Sequence, residues 1–338
     1  MAPTVVPLAE LTNGQEADFF ALLSSKEELT TKDGKPYFRV TFRDAAREVS
    51  FPIWNDTTWT TVCRDTWSVG DFFKLRALYR ETTYGPQLEI RKIRLVNEED
   101  KAEGFDPAMC LPAARYDPQQ MFNDLVELVR QQVADQPLAD FAQAMLEQNR
   151  EVLLTLPAAK YNHHAHASGF LEHVLSVSRT AAFLAEKYAA LYPDMQPPLN
   201  QGLIVAGAVL HDIGKVRELE TTPTGAEYTV SGTLIGHILQ GRDMVRELAV
   251  DYPLDEETLL RLEHIIISHQ RLPEWGSPKP PMFPEALIIH YADDLDAKLE
   301  MMVSALATDT TGGPLTSSRN PLRQQVYRGS ESDAADSA

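Results

Sequence analysis

Cysteine is scarce: Cys63 and Cys110 are the two in 338 residues, too few for a disulfide framework or a thiolate metal site. That scarcity fits a reducing compartment, so the cytoplasm is the expected location. Long apolar runs are missing as well. No uninterrupted segment approaches the ~20 residues a membrane helix needs, and no membrane partner is expected. The N-terminus lacks a basic stretch leading into an apolar run, so no signal peptide is expected either. Positive charge is in deficit, with 31 Lys+Arg against 49 Asp+Glu for a net of −18, which taken whole argues against a nucleic-acid binder. Histidine is absent from the first 160 residues, and internal repeats are absent throughout.

The charge is unevenly distributed. Residues 1–100 carry 13 basic and 16 acidic side chains, whereas the remainder carries 18 and 33. Within 26–94 the sign reverses, with 13 basic against 10 acidic residues. Acidity therefore belongs to the second part, where carboxylates serve metals or solvation, and a basic excess belongs to the first.

From about residue 16 to 96 the pattern has period two. Phe38, Val40 and Phe42 share one face of a strand, while Tyr37, Arg39 and Arg43 share the other. Its partner strand directs Val49, Phe51 and Ile53 to one face and Trp54 to the opposite one. Turns at Asp33-Gly34-Lys35-Pro36, Asp44–Arg47, Gly70-Asp71 and Gly85-Pro86 separate about five strands: Asp18–Glu28, Tyr37–Arg43, Val49–Trp54, Phe72–Glu81 and Leu88–Val96. A short helix is expected near Thr57–Val62. Five strands in some 80 residues suit an OB-fold barrel, assigned to residues 1–100. A polar linker and leading helix follow over 101–136, then a helical domain over 137–310. Helices are expected near 168–191, 199–213, 232–250, 255–269 and 282–306. Residues 311–338, rich in Ser, Asp and Ala, read as a disordered tail. The fold class is thus multidomain, an all-β barrel followed by an all-α domain.

The nine histidines all fall after residue 160, beside the carboxylates, and imidazole is the commonest metal ligand. The sharpest element is Val209-Leu210-His211-Asp212-Ile213-Gly214-Lys215. An apolar helix there runs straight into adjacent His and Asp, and an isolated buried carboxylate is strongly disfavoured unless a cation meets it. Gly214 suits a helix end needing positive φ, and Lys215 leaves it near that cation. Asp293 closes a second apolar run, Ile288–Ala292, with Asp294 and Asp296 read as solvated. His173 sits on an amphipathic helix after Gly169. His237 and one of the pair His264 and His269 complete the candidates.

Together, His173, the His211-Asp212 pair and the distant Asp293 resemble the pattern of HD-superfamily metal-dependent phosphohydrolases. The strings Leu156–Ala165, Gly169–His173, Ile267-Ser268-His269, Pro284-Glu285-Ala286 and Asp294–Lys298 look like those of the YhaM-type 3′–5′ exoribonuclease family, over about residues 8–306. That family also carries an N-terminal OB domain. Three departures stand out: His269 is followed by Gln270 where a second histidine is common, His166 stands where an aromatic is expected, and Ser168-Gly169 replaces a double glycine.

The resemblance implies hydrolysis of the 3′-terminal phosphodiester of single-stranded RNA, with DNA offering the same phosphates and bases. His173, His211, Asp212 and Asp293 would hold the principal divalent ion, and His237 and His269 a second ion or a phosphate. Lys215 would neutralise a phosphate oxygen beside Asp212. Mixed His and carboxylate ligands fit Mn²⁺, the favoured ion, and Co²⁺, Fe²⁺ or Mg²⁺. Lys160, His163 and His164 would contact substrate. On the barrel, Tyr37, Arg39, Arg43 and Trp54 would meet bases and phosphates, with Arg76, Arg80, Tyr84, Arg91 and Arg94 adding charge. The architecture is compatible with a homo-oligomer. Two alternatives stay open on the residues alone: an HD phosphohydrolase acting on nucleotides, and a nucleic-acid-binding scaffold with a degenerate metal site.

Overall fold

The computed structural model describes residues 5–31, 33–82, 85–111, 114–159, 164, 166–222, 225–309 and 311–329. Contacts divide the chain into two compact units, one built on the residues up to Ala113 and one whose helices follow Ala114.

The first unit contains β1 (Glu16–Thr30), β2 (Pro36–Arg43), β3 (Glu48–Trp54), the short helix α1 (Thr60–Thr66), β4 (Phe72–Thr82) and β5 (Gly85–Leu95). All pairings are antiparallel, in the order β3-β2-β1-β4-β5. β1 is long because it serves two neighbours: Glu16–Leu22 pairs with β4 and Leu22–Thr30 with β2, and a bulge between Leu23 and Ser25 bends it between them. β3 and β5 then come into contact, closing the sheet into a barrel with α1 between β3 and β4. That strand order and closure are those of an OB-fold. The alternation works as expected. Phe38, Val40, Phe42, Val49, Phe51 and Ile53 are buried inside, while Arg39 and Trp54 are exposed on the outer face.

The barrel extends further along the chain than residue 100. β1 is buried on both faces at its middle: Phe19, Ala21 and Leu23 enter the barrel core, whereas Phe20 and Leu22 point outward. Phe105, Met109, Cys110 and Leu111 cover that outward pair, so residues expected to form a linker are part of the barrel's packing. Short helices at Glu98–Glu103 and Pro107–Cys110 flank Phe105, and the second carries Met109 and Cys110.

The second unit is helical: α2 (Pro118–Gln132), α3 (Gln136–Gln148), α4 (Arg150–Leu153), α5 (Gly169–Leu191), α6 (Gln201–Leu210), α7 (Lys215–Glu218), α8 (Val230–Ile235), α9 (His237–Leu248), α10 (Glu256–Ser268) and α11 (Pro284–Thr308). A small hairpin, β6 (Leu219–Thr222) with β7 (Gly225–Tyr228), interrupts them. α6 is the centre. Leu203 through Leu210 are all buried, as an all-apolar helix requires, and α2, α3, α5, α10 and α11 pack around it. The expected helix over 232–250 is two pieces, because Gly236 stands at φ 80 and turns the chain between α8 and α9. The expected disorder from 311 is not what the chain does over 311–329. A bridge pairs Leu315 with Tyr327, the Thr316 N–H donates to the Val326 carbonyl at 2.9 Å, and Asp309 accepts from Arg328 and from the Ser317 N–H.

Asp100 anchors the end of the barrel. Its buried carboxylate accepts from both Arg94 guanidinium nitrogens, at 2.6 and 2.7 Å, and from the Asn97 N–H at 2.9 Å. The Arg94 fork, first among these partners, holds the carboxyl down at about 2. Asp100→Ala is expected to destabilise the protein by roughly 1.5–3 kcal/mol, the usual loss for hydrogen bonds to a charged group, read as a lower denaturation midpoint at pH 7. The folded value lies below the unfolded one of about 4. The contribution is therefore complete above that unfolded value and fades as pH falls toward 2, where wild type and variant converge.

Candidate metal centre

The donor positions follow from how the helices meet. α6 ends at Leu210, and His211 and Asp212 lie on the turn that carries the chain into α7. Gly214 does not take the positive φ expected of it; it stands at φ −62. The glycine is required by contact instead, since a Cβ there would fall 1.9 Å from the His237 carbonyl oxygen and 2.5 Å from the Gly241 nitrogen. The start of α9 thus rests directly on this turn and brings His237 to Asp212. Gly169 does the same for α5: its Cβ would meet the His164 carbonyl oxygen at 2.0 Å. Ser168, replacing a glycine, stands at φ 62, and its hydroxyl donates to the Leu154 carbonyl at 2.6 Å.

Asp212 is the meeting point. Its Oδ2 lies 3.8 Å from His173 Nε2, 3.5 Å from His211 Nε2 and 2.6 Å from Lys215 Nζ. Its Oδ1 lies 3.3 Å from Nε2 of both His237 and His269. Asp293 Oδ1, from α11, is 3.3 Å from His173 Nε2 and 3.8 Å from His211 Nε2. Two sets of ligand atoms result, His173 with His211 and Asp293, and Asp212 with His237 and His269, each within 4.8 Å.

Every one of these imidazoles is aimed by its other nitrogen. His173 Nδ1 donates to Asp296 Oδ2 at 2.8 Å and His237 Nδ1 to Glu218 Oε1 at 2.9 Å. His211 Nδ1 donates to the Ala208 carbonyl and His269 Nδ1 to the Ile266 carbonyl, both at 2.7 Å. A ring whose Nδ1–H is used in this way presents the Nε2 lone pair, the arrangement that metal-ligating histidines require.

The electrostatics have one cause, negative charge gathered where solvent is excluded. Burial alone would depress His173, but the hydrogen bonds its ring donates to Asp293 and Asp296 outweigh it and raise the group to about 9. His269 is likewise raised by Asp212 against its burial, whereas burial dominates at His211 and lowers it to about 4. Burial opposes ionisation of Asp212, Asp293 and Asp296, yet all three are held well below the usual carboxylate range, Asp212 by Lys215 and the imidazoles, Asp293 by His173, His211 and His269, and Asp296 by His164 and His173. Lys215 is itself buried and raised by Asp212. Such a site demands cations.

The sequence candidates are distributed as follows. His173, His211, Asp212, Lys215, His237, His269 and Asp293 converge, while His264 stays outside, its Nε2 accepting from the Met282 N–H at 3.1 Å. Asp296, read from sequence as solvated, instead orients His173 and also accepts from Ser176. His164, read as a substrate contact, is buried with its Nε2 3.2 Å from Asp296 Oδ2, supporting the carboxylate that aims His173. Lys160, His163 and Tyr84 lie outside the described residues. Gln270 lies beside the second set, its amide nitrogen 3.2 Å from His237 Nε2. Glu218 and His290 were missed. Glu218 aims His237, and His290 lines the cleft with Nδ1 donating to the His269 carbonyl at 2.7 Å. Neither had a sequence signal, because each acts across a helix packing.

On the barrel, Tyr37 and Trp54 are cross-strand partners whose rings lie 5.0 Å apart, and Arg39 is exposed on the same face. Arg43 is half-buried beside Asp44 and Glu48, and burial lowers it. Arg76, Arg80, Arg91 and Arg94 are each paired with a carboxylate, Asp18, Glu89, Glu16 and Asp100 respectively.

The residues of the centre fit divalent ions. The buried Nε2 atoms of His211 and His269 and Oδ1 of Asp212 have no hydrogen-bond partner among the described residues, and unsatisfied atoms of this kind are rare unless an ion meets them. Asp296→Asn is expected to weaken Mn²⁺ binding about 10–100-fold, the usual effect of removing the group that orients a ligating histidine, measured by titration calorimetry.

An HD domain model matches residues 170–298, the span from the residue after Gly169 to Lys298 on α11. The 3′-5′ exoribonuclease YhaM of Bacillus licheniformis is 31% identical over 300 residues, covering 87% of this chain and 88% of that protein. The 3′-5′ exoribonuclease YhaM of Bacillus subtilis is 32% identical over 303 residues, with the same shares. A domain of replication protein A from Methanococcus maripaludis overlaps 27% of this chain and 94% of its own length, at 11% identity and a TM-score of 0.22. With the centre just described, the YhaM matches mean that this chain belongs to the YhaM family of 3′–5′ exoribonucleases and is a metal-dependent nuclease of HD type.

Proposed function

We propose that the chain removes nucleotides one at a time from the 3′ end of single-stranded RNA and releases nucleoside 5′-monophosphates, with Mn²⁺ as the working ion. The observation that carries this reading is the pair of donor sets meeting at the two oxygens of Asp212. RNA and the 3′–5′ direction rest on the relatives' activity. His173, His211, Asp293 and Asp212 Oδ2 would hold one ion, and His237, His269 and Asp212 Oδ1 a second. Bound divalent ions lower the pKa of water and offset charge on a phosphodiester under attack, and imidazole mixed with carboxylate suits Mn²⁺, Co²⁺ and Fe²⁺ better than Mg²⁺.

The chain's own groups prepare the rest. Asp296 and Glu218 hold His173 and His237 in the tautomer that leaves Nε2 open. Lys215 lines the cleft with its ammonium on Asp212, where it would meet a non-bridging phosphate oxygen. In the net reaction one water adds to phosphorus and the bond to the 3′ oxygen of the preceding ribose breaks. The terminal nucleotide leaves with its 5′ phosphate, and the shortened strand keeps a 3′ hydroxyl.

The barrel would grip the strand through Tyr37 and Trp54, with Arg39 meeting phosphate. No described helix is long and apolar enough to cross a membrane.

Incubating 5′-labelled single-stranded RNA with Mn²⁺ is expected to give a ladder that shortens from the 3′ end. EDTA or Asp212→Ala abolishes it, and equal activity in the variant would sink the proposal. Trp54→Ala is expected to weaken binding of long RNA by about 1–3 kcal/mol, the worth of one stacked base, seen by fluorescence anisotropy. Degradation of a dinucleotide should be unaffected.

A further inference from the structure

The cleft beside the metal centre has a volume of about 510 Å³ and a mixed lining. Asp212, Lys215, Gln270, His290, Asp293 and Asp294 contribute polar groups. Trp275, Met301, Pro321 and Leu322 supply apolar walls to the same cleft. α11 runs from one character to the other: Asp293, Ala297 and Met301 follow at intervals of four residues, on one helical face, over about 12 Å. That distance is on the scale of one nucleotide.

Trp275 is the largest of the apolar groups, and it is 49% exposed. Its position is nevertheless fixed. It closes the single helical turn Pro273–Trp275. Just after it, buried Ser277 accepts the Gln270 N–H at 3.1 Å and donates its own N–H to the Leu272 carbonyl at 3.2 Å. Lys298 Nζ lies 5.7 Å from the ring centroid and 2.7 Å from Asp294 Oδ2, so a cation already rests on the indole face. An aromatic ring held at the mouth of a cleft, with an ammonium on its face, offers stacking to a base and charge to the phosphate beside it.

We infer that Trp275 is the stacking platform for the base of the 3′-terminal nucleotide, with the Pro321-Leu322 turn and Met301 as the other apolar walls and Lys298 serving its phosphate. This deepens the exonuclease reading and rests on it for the identity of the strand end. Stacking of this kind accepts any base, because every base has a π face.

The test compares the full-length wild type, Trp275→Leu and Trp275→Tyr on RNA that is intact, abasic at the 3′-terminal position, or abasic at the next position. In wild type the terminal abasic site is expected to raise KM on the order of tenfold, within the range for one stacked base, with kcat little changed. Trp275→Leu should raise KM on intact RNA by a similar factor and add nothing on the terminally abasic strand, and Trp275→Tyr should restore it. Equal losses for Trp275→Leu on both strands, no loss on either, or sensitivity at the next position instead would overturn the assignment. If wild type does not shorten RNA at all, the exonuclease reading fails separately. Tryptophan fluorescence then decides the platform. Quenching by adenosine 5′-monophosphate, absent with ribose 5-phosphate and absent in Trp275→Leu, supports it, and equal quenching in wild type and variant overturns it.

Discussion

A carboxylate buried among imidazoles is stable only where cations meet it, and Asp212 is where that constraint is concentrated. One oxygen faces His173, His211 and Lys215, and the other faces His237 and His269. His211 and Lys215 lie on the same turn as Asp212, whereas His173 comes from α5, His237 from α9 and His269 from the end of α10. The site therefore exists only when α5 and α10 pack on α6 and α9 packs on α7 and α10. Gly214 shows how little slack the arrangement has, since the His237 carbonyl occupies the space its side chain would need.

The outward-facing nitrogens of the same rings explain why the centre is stiff. Two are held by backbone carbonyls of their own helices, Ala208 and Ile266, and two by carboxylates from elsewhere, Asp296 and Glu218. Local carbonyls fix a ring's tilt on its helix, whereas the distant carboxylates fix one helix against another. His164 and Ser176 add further support to Asp296. Ring orientation is thus decided by packing energy before any ligand arrives, which is how a metal site avoids the cost of ordering its donors at the moment of binding.

In the barrel, charge does two jobs. On β4 and β5, Arg76, Arg80, Arg91 and Arg94 are committed to ion pairs, with the Arg94 and Asp100 pair at the end of the barrel. On β2 and β3 the tilted aromatic pair Tyr37 and Trp54 lies on the outer face with Arg39.

Local pattern was enough for much of this. Period-two alternation assigned the inside and outside of β2 and β3, because successive side chains of a strand must point to opposite faces. An apolar helix running into His211-Asp212, and another into Asp293, marked the centre, because burying such groups without a cation is too costly. What local pattern could not supply was every contact made across a packing. Asp296 looked solvated in its run of acids, yet α5 brings His173 onto it. Glu218 had no visible purpose until α9 docked, Gly214 proved to serve a close approach rather than a helix end, and the segment after residue 100 became barrel once Phe105 covered Phe20. The sequence alone determined which groups must be buried and which of them would need a cation. Which group neutralises which depends on distances between helices far apart in the chain, and only the tertiary structure decided those.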